Sequence, residues 1–221
     1  MKFPRLVVCN SAVARSGDNL SRPLVGGHVN DDSVCVAVAT GREGGDFTYA
    51  QRDGRDPAEL KLLIDEARNA TLDTPSSWTV AEESGFWIFK KPSLLRAYGD
   101  LGVSPIEMET DGGGIDDLST DLLLKPSAWG EATEKLGSDL AVVVPKRGWL
   151  MVAVGTPGNI HATTKLFELG KGIASRGGRH AITGSTVIFM SGGLPSGVEV
   201  RSATEGYISL MKPDPQSWFS E

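Results

Sequence analysis

Leu140-Ala141-Val142-Val143-Val144-Pro145-Lys146-Arg147-Gly148-Trp149-Leu150-Met151-Val152-Ala153-Val154 is the stretch whose reading decides the fold. Two apolar runs rich in valine flank the connection Pro145-Lys146-Arg147-Gly148. Both runs suit a pleated surface. A connection this short suits a hairpin and cannot hold a crossover helix, so the runs are expected to be antiparallel neighbours. Leu140, Val142 and Val144 project to one side, and Ala141 and Val143 to the other. Both sides are oily, so the ribbon is expected at the centre of a sheet with protein packed over each face.

Working outward, Leu6–Cys9 and Val34–Ala39 read as strands, and Phe47-Thr48-Tyr49 returns after the turn over residues 40–45. The polar stretch from Asn10 to Asp32 reads as loop with short ordered pieces. Asp56, Pro57 and Glu59 then form a helix start, and Leu60, Leu63, Ile64 and Ala67 repeat along one helical face. Asp65 and Arg68 are spaced to pair on the wet side. Trp78–Ala81 and Phe86–Phe89 read as two further strands. Ser93 to Tyr98 reads as a short helix, and Val103–Met108 as extended chain. A helix capped by Ser127 is expected to carry Trp129, Ala132, Thr133 and Leu136 as its stripe. Another, from His161 to Arg176, carries Leu166, Leu169, Gly170 and Ile173, with Gly170 placed for close packing. Thr186–Met190 and Val198–Arg201 form a hairpin around residues 192–197, and Ile208–Met211 adds an edge strand. The fold class is therefore α+β or mixed α/β: a largely antiparallel or mixed sheet with helices packed on it, in a single domain over residues 1–221.

Bulk properties narrow the function. Hydrophobic residues make up 40% of the 221 and charged residues 23%, the balance of a folded globular chain. The net charge of −6 disfavours general affinity for phosphate backbones. Runs of Lys and Arg stop at two residues, without aromatic interleaving, so no nucleic-acid partner is expected. No stretch approaches the roughly 18 apolar residues of a membrane span, and the run before Asn10 is too short for a secretory leader. No membrane partner is expected. The two cysteines, Cys9 and Cys35, sit in apolar runs and read as buried free thiols suited to a reducing cytoplasm.

Chemistry-bearing motifs are sparse. His28, His161 and His180 show no metal-ligand spacing, and Asp111, Asp116, Asp117 and Asp121 flank Gly112-Gly113-Gly114 in an order unlike a calcium loop. No metal and no cofactor is expected. Ser191-Gly192-Gly193 lacks the nucleophile-elbow pattern, and neither glycine-rich turn matches a phosphate loop. Two basic pairs remain, Lys90-Lys91 and Lys146-Arg147, each at a strand end. Their plain reading is solvated loop charge. If the two ends meet, they offer four cations to an anionic protein or ligand.

The run from Asp121 to Val154 resembles a widespread bacterial family of uncharacterised proteins. The likeness rests on Leu122-Leu123-Leu124, Trp129 and Leu140 through Leu150, with Arg22-Pro23 and Asp111-Gly112 compatible. Family members usually have Asp after the arginine where this chain has Gly148. The resemblance implies an α/β fold and supplies no mechanism. The function expected from the whole is a non-enzymatic binding or accessory module, using Lys90, Lys91, Lys146 and Arg147 on an anionic partner. The rival is a small hydrolase or transferase pairing His28 or His161 with an acid from residues 111–121.

Overall fold

A computed structural model describes residues 3–24, 33–41, 47–73, 79–83, 86–90, 119–129, 139–156, 160–178, 181–201 and 208–211. The central ribbon is β7 (Asp139–Val143) against β8 (Leu150–Val154), antiparallel as its connection requires, with Val142 opposite Val152. It lies inside a seven-stranded antiparallel sheet. On one flank follow β6 (Phe86–Lys90) and β5 (Thr79–Glu83), and on the other β9 (Thr186–Ser191), β10 (Leu194–Arg201) and β11 (Ile208–Met211). A separate four-stranded sheet holds β1 (Arg5–Asn10), β2 (Ser21–Pro23), β3 (Val34–Gly41) and β4 (Phe47–Tyr49), with β3 in its middle.

Both faces of the ribbon are covered, as the alternation demands. Leu140, Val142, Val144, Leu150 and Val152 join Leu6, Val8, Val34, Val36 and Val38 in one core between the two sheets. Ala141, Val143, Met151 and Ala153 pack beneath α3 (Ile160–Ala174), against Leu166, Phe167 and Ile173. Over one face the expected helical cover is joined by the small sheet, whose Leu6, Val8, Val34, Val36 and Val38 share that core with Leu60, Leu63, Ile64 and Ala67 of residues 57–72. The outer face of the small sheet carries Val7, Cys9, Cys35, Ala37 and Ala39, under Val13 and Ala14 of α1 (Ser11–Arg15) and the rings of Phe3, Phe47 and Tyr49.

The helix α2 (Pro57–Leu72) begins where its cap predicts: Asp56 accepts from the N–H groups of Ala58 at 2.8 Å and Glu59 at 2.9 Å. Leu60, Leu63 and Ile64 lean on the main core beside buried Ala67, and Arg68 meets Asp65 at 2.7 Å. Asp56→Ala is expected to cost about 1 kcal/mol in thermal or denaturant unfolding, because two N-terminal N–H groups lose their acceptor. Two details depart from the sequence reading. Residues 126–129 form a 3-10 turn, Pro126–Trp129, in place of the first turn of an α-helix, and residues 130–138 lie outside the described residues. The final hairpin is also tighter than expected. Gly192 and Gly193, at φ +58° and +83°, make a two-residue turn, so β10 starts at Leu194. Positive φ at both central positions matches strand twist in such turns. The extra residue near Pro195 is taken up as a bulge between Pro195 and Gly197. The short helix at 93–98 and the extended stretch 103–108 lie outside the described residues.

Candidate functional site

A set of buried polar groups closes one edge of β1. In an antiparallel pair, alternate residues turn their N–H and C=O toward the partner strand, and the rest turn away. Leu6 and Val8 turn away from β3, toward the interior. Buried backbone groups need partners, and here side chains provide them. Thr71, in the last turn of α2, accepts from Leu6 N–H at 2.8 Å and donates to Ala67 C=O at 2.8 Å. Asp121, in the 3-10 turn Ser119–Leu124, accepts from Val8 N–H through Oδ1 at 2.7 Å. Arg147, in the β7–β8 connection, donates to Val8 C=O at 3.0 Å. Its guanidinium also faces Asp121 Oδ2 at 3.5 Å and lies 4.7 Å from the Phe47 ring centre. Three distant elements thus do for β1 what a neighbouring strand would do.

The β7–β8 connection is buried because a second segment walls it in. Trp149 N–H bonds Lys146 C=O at 3.1 Å, and Gly148, at φ +83°, takes the left-handed conformation that closes the turn. Ile182 N–H reaches Pro145 C=O at 2.9 Å, Lys146 bridges to Ala181, and Asn10 donates to Ala181 C=O at 3.0 Å. Lys146 is consequently 1% exposed, Arg147 6% and Asp121 1%. This corrects the expectation of solvated loop charge at Lys146-Arg147: a partner in solution does not reach side chains buried to this degree. The strand ends do converge. Phe89 pairs with Leu150, so Lys90, the last residue of β6, reaches the end of the sheet where this connection turns. Lys91 lies outside the described residues.

Electrostatics follow from the packing. Burial lowers the Arg5 guanidinium below its ordinary value; Asp121 opposes the shift and Arg147 adds to it. On the outer face of the small sheet, burial pushes Cys35 up to about 12, with Arg15 opposing. Tyr49 is pushed up to about 12 by burial and by Cys9, with Arg147 opposing. Cys9 rises well above its usual value through burial and the neighbouring Cys35. In the unfolded chain Cys35 and Tyr49 ionise near 9 and 10, while the folded protein holds their protons to about 12. Their contribution to stability is complete below pH 9 and is lost as pH rises toward 12. Each group removes at most about 1.4 kcal/mol per pH unit inside its window. Denaturant midpoints measured under reductant at pH 8, 10 and 11 are expected to fall, and Cys35→Ala is expected to flatten the decline.

The candidate acid–base set is only partly described. Asp121 is the described member of its acidic group, and its Oδ1 is engaged by Val8 while Oδ2 faces Arg147. His161 lies in the first turn of α3; His28, His180 and residues 111–118 lie outside the described residues. Among the described residues, no three His, Cys, Asp or Glu side chains gather at metal-binding distance, and no helix is long and apolar enough to cross a membrane. Sequence reasoning missed Thr71 and Asp121 as edge-closing groups. The one local signal was a carboxylate beside the apolar run Leu122-Leu123-Leu124. Comparison of the chain with protein-family models, curated proteins and solved structures finds no match.

Proposed function

We propose that this protein is a non-catalytic binding or accessory module that contacts an anionic partner through Lys90, at the end of β6, and Lys91, the next residue in the sequence. The observation carrying the non-catalytic part is the engagement of Asp121 and Arg147 with Val8. The one described carboxylate of the acidic group holds a strand at 2.7 Å and faces a guanidinium, which is structural work. The anionic partner is supported by the placement of Lys90 at the end of β6, beside the buried connection. The binding patch is thereby narrowed from four cations to Lys90 and Lys91, with Lys146 and Arg147 assigned to the interior. Two buried free thiols support a working place in a reducing cytoplasm.

The experiment is capture from native-host extract with the wild-type chain and with a Lys90→Glu/Lys91→Glu variant. Lys146 and Arg147 stay in place, so the fold is not put at risk. Reversal is expected to weaken a salt-sensitive partner by at least about tenfold, since like charges then face each other. A partner retained equally by both proteins would remove Lys90 and Lys91 from the contact.

A further inference from the structure

The chain has two cysteines, and the fold sets them face to face. In the β1–β3 register Cys9 lies directly opposite Cys35. Residues paired across an antiparallel ladder share a face, and both belong to the packed cluster on the outer side of the small sheet. Leu6 and Val8 send their N–H groups off the ladder to Thr71 and Asp121. Cys9 therefore alternates into a position that bonds its partner strand, where facing Cα atoms are about 5.5 Å apart. That separation falls inside the roughly 4.4–6.8 Å spanned by disulfides. Both thiols are free in this structure.

We propose that Cys9 and Cys35 are a reversible modification site, closing to a cross-strand disulfide when a hydroperoxide reaches them. One thiolate sulfur attacks the peroxide oxygen, forms a sulfenic acid and releases the alcohol, or water from hydrogen peroxide. The second thiol sulfur then displaces that oxygen, which leaves as water, and the S–S bond forms. Two thiol protons and two electrons pass to one peroxide, so no further reactant is needed.

Access comes through the cover. Val13 and Ala14, which pack against the cluster that holds the pair, belong to a helix of five residues, and Phe3, Phe47 and Tyr49 are only partly buried. A cover this small opens at far less cost than the core between the sheets. Closed, it keeps both sulfurs protonated through burial; once water enters, Arg15 beside Cys35 remains to favour its thiolate. Side chains at bonded positions stand further apart than a disulfide prefers, so closure strains the strands and leaves a bond that thiols reduce easily.

The test uses the native, fully reduced chain. Hydrogen peroxide is added, remaining thiols are alkylated, and intact mass and peptide maps are read. The expected product is a monomer two hydrogens lighter, with Cys9 joined to Cys35, and glutathione restores both thiols without unfolding. Cys9→Ser is expected to abolish the mass loss, and Cys35→Ser repeats this control independently. The proposal is overturned if the native chain keeps both thiols under peroxide that oxidises the urea-unfolded chain. It is equally overturned if the cysteines pass to sulfinic acids or join only between chains, or if glutathione leaves the bond intact.

Discussion

Arg147→Met is expected to lower the unfolding free energy by about 3–5 kcal/mol, the usual loss when one partner of a buried ion pair is removed. The cost has two parts. Val8 C=O loses the donor now 3.0 Å away, and Asp121, 1% exposed, loses the guanidinium facing its Oδ2. Asp121→Ala is expected to be comparably damaging, because Val8 N–H then loses its acceptor. Asp121→Asn keeps an oxygen for that N–H, while it removes the charge and turns an amide NH2 toward the guanidinium; the retained bond to Val8 is expected to make it less costly than Asp121→Ala. The double variant Arg147→Met/Asp121→Asn is expected to cost clearly less than the sum of its parts, since neither change strands a charge opposite the other residue. Arg147→Lys is not a mild change. A single ammonium lacks the fork that reaches Val8 C=O with one arm while turning another to Asp121 and laying its plane near Phe47. Denaturant unfolding of the parent, Arg147→Met, Asp121→Asn and the double variant gives the cycle, and additive costs would show that Arg147 and Asp121 act separately.

The same residues show where sequence reading stops. The β7–β8 ribbon was legible because each of its residues reports its own face, and oily residues on both faces admit only a covered sheet. The start of α2 was legible for a similar reason: Asp56, Pro57 and the leucine stripe all lie within a few turns of chain. The edge of β1 was not legible, because its closing groups come from 65, 113 and 139 residues away. Nothing beside Thr71 distinguishes it from any polar residue at a helix end. Pro145-Lys146-Arg147-Gly148 has the composition of an exposed turn, and it is buried only because residues 181–183 pair alongside it. The opposition of Cys9 and Cys35 likewise depends on a register between two strands whose near ends, Asn10 and Val34, are 24 positions apart, which apolar runs without a tight turn between them do not fix. Local pattern thus located the elements and the core, while the polar interior was decided by tertiary placement.

Gly184→Ala carries the second large effect, and it too arises from placement. A methyl group at residue 184 would sit 2.5 Å from Lys171 Cα, 2.7 Å from Lys171 N and 2.8 Å from Gly170 C. These are main-chain atoms of α3, so no rotamer change relieves the overlap. The helix must move away from the sheet by the better part of a carbon radius, taking Leu166, Phe167 and Ile173 partly out of contact with Val143, Met151 and Phe189. Overpacking in a core usually costs about 1–3 kcal/mol, and loosened packing of the neighbours adds to that, so a loss of about 3 kcal/mol or more is expected. Gly170→Ala meets Val143 Cγ1 at 2.6 Å, a side chain that has some freedom to shift, and the gain in helix propensity offsets part of its cost. It should therefore be the milder of the two. Thermal unfolding compared for both variants tests the ranking. A Gly184→Ala protein as stable as the parent would mean that α3 does not lie against the chain at Gly184, and the layer over the outer face of the ribbon would have to be placed differently.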